Sequence, residues 1–393
     1  MRNLPSKACV GVLAVLIGLN LRPIMAAIGP LLGTLQHELG LSNAEGGLLT
    51  TLPVMMMGLF ALSGPWLLRL VGEVNGVALG ITLIAISCAA RAYVTSGSAL
   101  IATAALGGVG IAVIQALMPA FIKRSHPDST GMLMGLFTTG IMGGAALAAA
   151  FAAPGAALMG WQLTLGVAAL PALLGLFAWL FAVGRHPVSR SDARLPYRNG
   201  RAWLLLLFFG LGTGAYTLVL AWLAPFYVEL GWAAADAGYL LGALTITEVI
   251  AGLLVSALIQ RYPDRRQPLT VVIILLLAGL ACLMTAPLQL AIVATLCLGL
   301  GIGALFPLSL IVTLDHADSP AQAGSLLAFV QGGGYLIAAT VPLMAGVVRD
   351  NLSSLHWAWG IMVIGTLLLL GLSALLRPTT RHSPACAPQS TNR

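Results

Sequence analysis

The chain has 393 residues, 59% of them hydrophobic and 8% charged, with a formal net charge of +7. Soluble globular proteins carry roughly 25% charged residues, so a chain this poor in charge cannot cover itself with polar surface, and a water-soluble globule is excluded. The basic excess lies in short loops without interleaved aromatic residues, which excludes a nucleic-acid face and calls for a topological reading.

A bilayer core about 30 Å thick is crossed by about 20 apolar residues in a helix. Runs of that length, cut at charged or Pro/Gly-rich joints, predict spans at 8–36, 45–68, 75–95, 98–122, 131–153 and 161–183. A second set follows at 202–228, 235–259, 268–286, 288–313, 324–348 and 357–376. Residues 8–21, behind Arg2 and Lys7, mimic a signal-peptide core, but the apolar stretch runs past residue 30 and reads as a first membrane helix. The 46 Gly and the long Leu, Ala, Val and Ile runs fit helices packed through small residues, not the ten-residue alternation of a barrel strand. The expected fold class is therefore an all-α membrane protein of twelve transmembrane helices in two six-helix halves. Its predicted parts are a bundle at 8–183, a basic linker at 184–201, a second bundle at 202–376 and a disordered tail at 377–393.

Orientation follows from the basic residues. With the N-terminus inside, sixteen of the nineteen fall on the inner side, Arg91 and Arg349 fall outside, and Arg22 stays within the membrane. Both termini are expected in the cytoplasm of a bacterial inner membrane. The linker from Arg185 to Arg201 carries five Arg and Asp192, a solvated segment suited to topology and to anionic lipid.

The halves resemble each other. Glu38-Leu39-Gly40 with Ala44-Glu45, Gly47 and Leu49 reappears 191 residues later as Glu229-Leu230-Gly231 with Ala235-Asp236, Gly238 and Leu240. Both copies fall at the outer joint between the first and second helix of a half. A parallel duplication of this kind places a substrate site between the halves near the midplane.

An ionised side chain at the bilayer centre costs a few kcal/mol even on insertion scales, so it is kept where it faces a polar cavity or a partner. Arg22, in the middle of the first span, and Glu248, in the middle of the eighth, fill that description; every other carboxylate falls in a loop or at a helix end. Arg22 shares a helical face with Val15, Gly18, Met25 and Gly29, and Pro23 behind it can open the helix. A guanidinium beside a cavity is an anion receptor; the structural alternative is a bridge that locks the bundle. Glu248, on a face with Thr245, Gly252 and Ser256, is a candidate proton carrier, with a salt bridge to Arg22 or a neutral hydrogen-bonded carboxyl as rival readings. Asn20, Gln115, Thr138, Thr139, Tyr216, Gln331 and Tyr335 can hydrogen-bond a small solute, or serve as contacts between helices.

No zincin pattern is present, and all six His fall in loops or tails, which leaves an intramembrane hydrolase without a base or a metal site. The five Cys have no metal spacing and read as small apolar packing residues. The clusters Gly107-Gly108-Val109-Gly110, Gly299-Leu300-Gly301-Ile302-Gly303 and Gly332-Gly333-Gly334 lie inside apolar spans and read as close packing rather than a nucleotide loop. No metal, cofactor or enzymatic activity is expected.

Ile17-Gly18-Leu19-Asn20-Leu21-Arg22-Pro23, Leu49-Thr50-Thr51-Leu52-Pro53, Gln115-Ala116-Leu117-Met118-Pro119, Phe306-Pro307-Leu308, Leu314-Asp315-His316 and Ala328-Phe329-Val330-Gln331-Gly332 are similar to segments of the cyanate permeases. The resemblance, from about residue 10 to residue 375, is to the cyanate and nitroimidazole branch of the major facilitator superfamily. It implies a twelve-helix inner-membrane carrier of the major facilitator fold that moves cyanate or a similar small anion. The residues themselves add the expectation of a monomer working by alternating access, with Glu248 as the internal carboxylate for proton coupling. Efflux of a 2-nitroimidazole or other drug, with Met55, Met56, Met57, Met132, Met134 and Met142 as pliable walls, is the second reading, and a passive channel the third. The facilitator loop signature is degraded at Arg69-Leu70-Val71-Gly72-Glu73 and better kept at Arg261-Tyr262-Pro263-Asp264-Arg265-Arg266, so the resemblance assigns gating to Asp264, Arg265 and Arg266.

Overall fold

The computed structural model describes residues 5–63, 70–183, 195–317, 320–352 and 354–376, with backbone alone at 256, 260 and 320–322. Most of the basic linker, the tail at 377–393, Arg69 and the side chain of Ser256 thus lie outside the described residues, as does the predicted disorder of that tail. Among the described residues twelve helices are long and apolar enough to cross a membrane: Lys7–Ala26, Asn43–Leu62, Glu73–Arg91, Gly97–Ser125, Pro127–Met159, Trp161–Ala182, Gly200–Glu229, Ala234–Val255, Arg266–Thr285, Ala291–Asp315, Ala323–Leu352 and His356–Leu375. They are referred to here as the first to the twelfth span. In hydrocarbon no water can satisfy a backbone N–H or C=O, and a helix satisfies its own, so these apolar runs have no cheaper state.

The first span is interrupted. It is helical over Lys7–Gly18, breaks at 19–22, resumes as the short turn Pro23–Ala26 and continues as Ile28–Leu39. Proline has no N–H to donate and disfavours helical geometry in the residue before it. The chain crosses the break with tight turns, the Asn20 N–H bonding to the Ile17 carbonyl and the Leu21 N–H to that of Gly18. Arg22 stands at the break as the N-cap of the short turn. The continuous helical face expected through Arg22 is therefore not formed: Gly18 lies against Phe137 and Ile141 of the fifth span, and Gly29 against Leu220 of the seventh.

The repeat read from the sequence has a backbone counterpart. Gly40 ends the first span at φ 66° and Gly231 ends the seventh near φ 96°, both in the left-handed region that a side chain disfavours. The second span then starts from a capping box, in which Ser42 Oγ accepts from the Glu45 N–H at 3.1 Å and Glu45 accepts from the Ser42 N–H at 2.9 Å. Ala233, at the matching place before the eighth span, supplies no such cap.

Packing follows the same duplication. In the first half the third span lies on the fourth, the second on the fourth, the first on the fifth and the third on the sixth. The second half repeats each pairing: ninth on tenth, eighth on tenth, seventh on eleventh, ninth on twelfth. The halves meet through two equivalent seams, second on eleventh and fifth on eighth. The glycine clusters serve these contacts: Gly108 lies on Pro53, Gly301 on Leu276, and Gly334 on Phe209 and Gly210.

Two charges read as lying in loops or at helix ends are buried, a correction to the count of two internal ions. Arg91, assigned to the outer side, is 1% exposed; its Nη1 donates to the Ile24 carbonyl at 2.9 Å and its Nε to Thr103 Oγ1 at 3.2 Å. Glu73 is also buried and pairs with Arg124 at 3.0 Å, joining the third span to the fourth. The linker also departs from a wholly solvated segment, because Tyr197 sets its ring edge-on to Phe329 and accepts from Trp203 Nε1 through its carbonyl.

Candidate functional site

A cavity of about 530 Å³ lies between the halves. Its walls come from the first, second, fourth and fifth spans on one side and the tenth and eleventh on the other, with Leu195 of the linker. Pro119, Ala120, Met134, Gly324 and Ser325 place its mouth at the end of the bundle that carries Lys123 and Arg124. The opposite end is closed. There Asp350 of the eleventh span binds the first turn of the second span, and a methyl group added at Gly47 would stand 2.6 Å from the Pro342 carbonyl oxygen.

Arg22 lines the cavity at its closed depth and is 4% exposed. Its Nη1 lies 3.8 Å from Met57 Sδ, its Cζ sits 5.3 Å from the centre of the Tyr216 ring, and its buried Nε has no hydrogen-bond partner. A thioether is a weak acceptor and an aromatic face is a soft one, so the guanidinium is held in place without being neutralised. Glu248 is also buried, and neither carboxylate oxygen has a hydrogen-bond partner. Tyr216 lies within electrostatic reach of Arg22, Glu248 and Tyr335, and Arg22 within reach of Glu248 and Tyr335, yet Arg22 and Glu248 form no ion pair within 4 Å.

The other expected residues divide. Gln115, Thr138, Gln331 and Tyr335 line the cavity with Arg22, whereas Tyr216, half-buried with a buried, unpartnered hydroxyl, and Glu248 do not. Thr139 does not line it. Asn20 is spent on the fold, its Nδ2 donating to the Leu16 carbonyl at 2.7 Å and the Pro171 carbonyl at 3.3 Å. Of the methionines, Met57, Met134 and Met142 reach the wall.

Asp264, Arg265 and Arg266 are bound within the second half. Arg265 Nε donates to Asp315 at 2.9 Å and its Nη1 to the carbonyls of Ile259 and Tyr262, each at 2.6 Å. Arg266 pairs with Asp264 at 2.8 Å, and its side-chain hydrogen bonds hold that carboxyl below the usual range. Among the described residues no cluster of His, Cys, Asp and Glu could hold a metal ion.

Arg22 and Glu248 were found from the sequence because they interrupt apolar runs. Met57, the direct partner of Arg22, was missed as such because methionine in a membrane helix carries no signal of its own.

The Major Facilitator Superfamily profile matches residues 13–339. The chain belongs to the Major Facilitator Superfamily. Within it, the chain is 38% identical over 384 residues to the cyanate transport protein CynX of Escherichia coli (strain K12), covering 95% of this chain and 97% of that protein. It is 31% identical over 367 residues to the 2-nitroimidazole transporter of the same organism, covering 92% of each. Among solved facilitator-type folds, a D-xylose-proton symporter superposes with a TM-score of 0.78 at 16% identity, over 93% of this chain and 97% of that one. A bacterial homologue of the lysosomal transporter Spinster, in an inward-facing and occupied conformation, superposes at 0.72 and 16% identity, over 94% and 95%. These two share the fold. This facilitator is a multi-pass membrane transporter of twelve helices.

Proposed function

We propose that the chain carries a small anion, cyanate first among the candidates, by alternating access around Arg22. The observation that carries this reading is a buried guanidinium at the closed end of an inter-half cavity, set against a sulfur and an aromatic face and with its Nε unpartnered. Such a cation has donors to give to a linear or trigonal anion. The identity to the cyanate transport protein over nearly the full length of both chains supports the substrate. In this reading the basic ends of the spans and both termini face the cytoplasm, and the cavity is open inward.

Moving one negative charge inward against an inside-negative potential costs about 2.3 kcal/mol per 100 mV, and a proton moved with the anion cancels that cost. Glu248, across the interface from Arg22 with both oxygens unpartnered, is the group assigned to carry it. The test is uptake of labelled cyanate into proteoliposomes. Arg22→Ala abolishes it while the protein remains folded in detergent; unchanged uptake overturns the role of Arg22.

A second reading is export of a 2-nitroimidazole-type compound, favoured by the relative at 31% identity and by the soft wall of Met57, Met134, Met142, Phe137 and Phe306. Resistance of cells expressing the chain to a nitroimidazole panel, with no cyanate uptake, selects that reading. The closure of one end speaks for a carrier over an open channel.

A further inference from the structure

A second hollow, of about 480 Å³, lies between the first, third, fifth and sixth spans and shares no lining residue with the central cavity. Its size falls within the roughly 300–1,000 Å³ of small-molecule sites. The rim consists of membrane-facing side chains, Leu147, Phe151 and Leu158 among them, all more than half exposed. The crevice therefore opens sideways toward lipid.

Its wall is apolar apart from Arg91 and Thr164, and the Thr164 hydroxyl is spent on the Gly160 carbonyl at 2.8 Å. Arg91, nine-tenths buried and more, lines the crevice; its Nη1 and Nε are engaged by Ile24 and Thr103, and its buried Nη2 has no hydrogen-bond partner. No described carboxylate lies within ion-pair distance of it. The crevice thus offers one fixed positive charge with a donor to spare at the end of an apolar slot floored by Ala148 and Ala152. A ligand that satisfies both must carry one anionic group on an apolar chain. Because the slot is entered from the bilayer, the ligand that can reach it is a lipid.

We propose that this crevice binds an anionic phospholipid, its phosphate on Arg91 and one acyl chain along Ala148 and Ala152. Arg91 lies at the bundle end opposite the mouth of the central cavity, so the lipid belongs to the leaflet of the closed end. An oxygen of the phosphate takes the free guanidinium N–H groups in a charge-assisted hydrogen bond. The bound lipid also braces the break in the first span, because Arg91 holds the Ile24 carbonyl just beyond Pro23.

The test is native mass spectrometry of the delipidated full-length protein titrated with phosphatidylglycerol, phosphatidylcholine, decanoate or inorganic phosphate. The wild type retains phosphatidylglycerol about tenfold better than phosphatidylcholine, whose choline cation offsets the phosphate charge beside a buried guanidinium, and retains inorganic phosphate poorly. Arg91→Gln removes the preference. Since that variant also gives up bonds to Ile24 and Thr103 and can fail to fold, Ala148→Trp provides an independent arm: it fills the slot, leaves Arg91 alone and also removes the preference. Leu170→Trp, on the lipid face outside the crevice, keeps it. Retention of phosphatidylglycerol unchanged in Ala148→Trp, or loss of it in Leu170→Trp, overturns the site. Decanoate held as well as phosphatidylglycerol overturns the assignment of a phosphate head.

Discussion

Asp350 accepts two hydrogen bonds from Asn43, one from its backbone N–H at 3.1 Å and one from its side-chain amide at 2.7 Å. The Ala44 N–H adds a third, at 2.9 Å, on the other carboxylate oxygen. A carboxylate on the eleventh span thus caps the second span from across the interface, where the helix end favours negative charge. With Ser42 bonded to the Glu45 N–H, the first turn of the second span has few donors left unmet.

Asp350→Ala should loosen the closed end by about 0.5–2 kcal/mol, the usual cost of losing an N-cap. In a cysteine-free background with spin labels at His37→Cys and Leu352→Cys, the distance distribution should shift toward the separated population. An unchanged distribution would show that the contact does not hold this end shut.

Asn20→Ala should cost about 1 kcal/mol of stability through loss of the bridge to Pro171, and leave the KM for substrate unaltered. Thermal unfolding and saturation kinetics on the same preparation separate the two effects. A raised KM with unaltered stability would return Asn20 to the substrate.

Glu248→Gln should retain exchange of labelled substrate between the two sides of a vesicle while losing substrate-driven proton movement. A pH-sensitive dye inside proteoliposomes reads the second quantity. Proton movement that persists in the variant removes Glu248 from coupling.

Glu73→Gln should destabilise the protein by about 1–3 kcal/mol, less than the full cost of breaking a buried pair because Arg124 remains partly exposed. Arg124→Gln should cost at least as much, since it strands the more deeply buried partner, and the double variant less than the sum. Additive losses in thermal unfolding would show that the pair is not coupled.

The spans, the break before Pro23 and the paired glycines at Gly40 and Gly231 were legible in the chain because each rests on a strong local rule: apolar length, a missing N–H, a backbone angle. Arg22 and Glu248 stood out for the same reason, since an ion in an apolar run is costly. Arg91 and Glu73 escaped because they lie at span ends, where a charge is ordinarily solvated, and only the placement of neighbouring helices buries them. Thr138 and Thr139 differ by one residue, yet one lines the cavity and the other does not, a distinction set by the rotation of the fifth span. Asn20 was legible as polar in the membrane; that the sixth span lends it a carbonyl was not.

The seam between the second and eleventh spans runs through glycine at both ends. A methyl group at Gly58 would meet the Gly332 carbonyl oxygen at 2.8 Å, and one at Gly346 would meet Ala44 Cα at 2.9 Å. Backbone rests on backbone at the Gly346 end, whereas at the other end the side chains of Leu336 and Leu62 also lie over Gly58 and Gly332. Rolling one half over the other along this line slides backbone on backbone at the Gly346 end but must lift Leu62 and Leu336 off the glycines they cover at the other, so the two ends of the seam resist movement unequally. The two leucines set the resting position at their end, and a single larger residue at Gly58, Gly332 or Gly346 would stall the turnover while leaving each half intact.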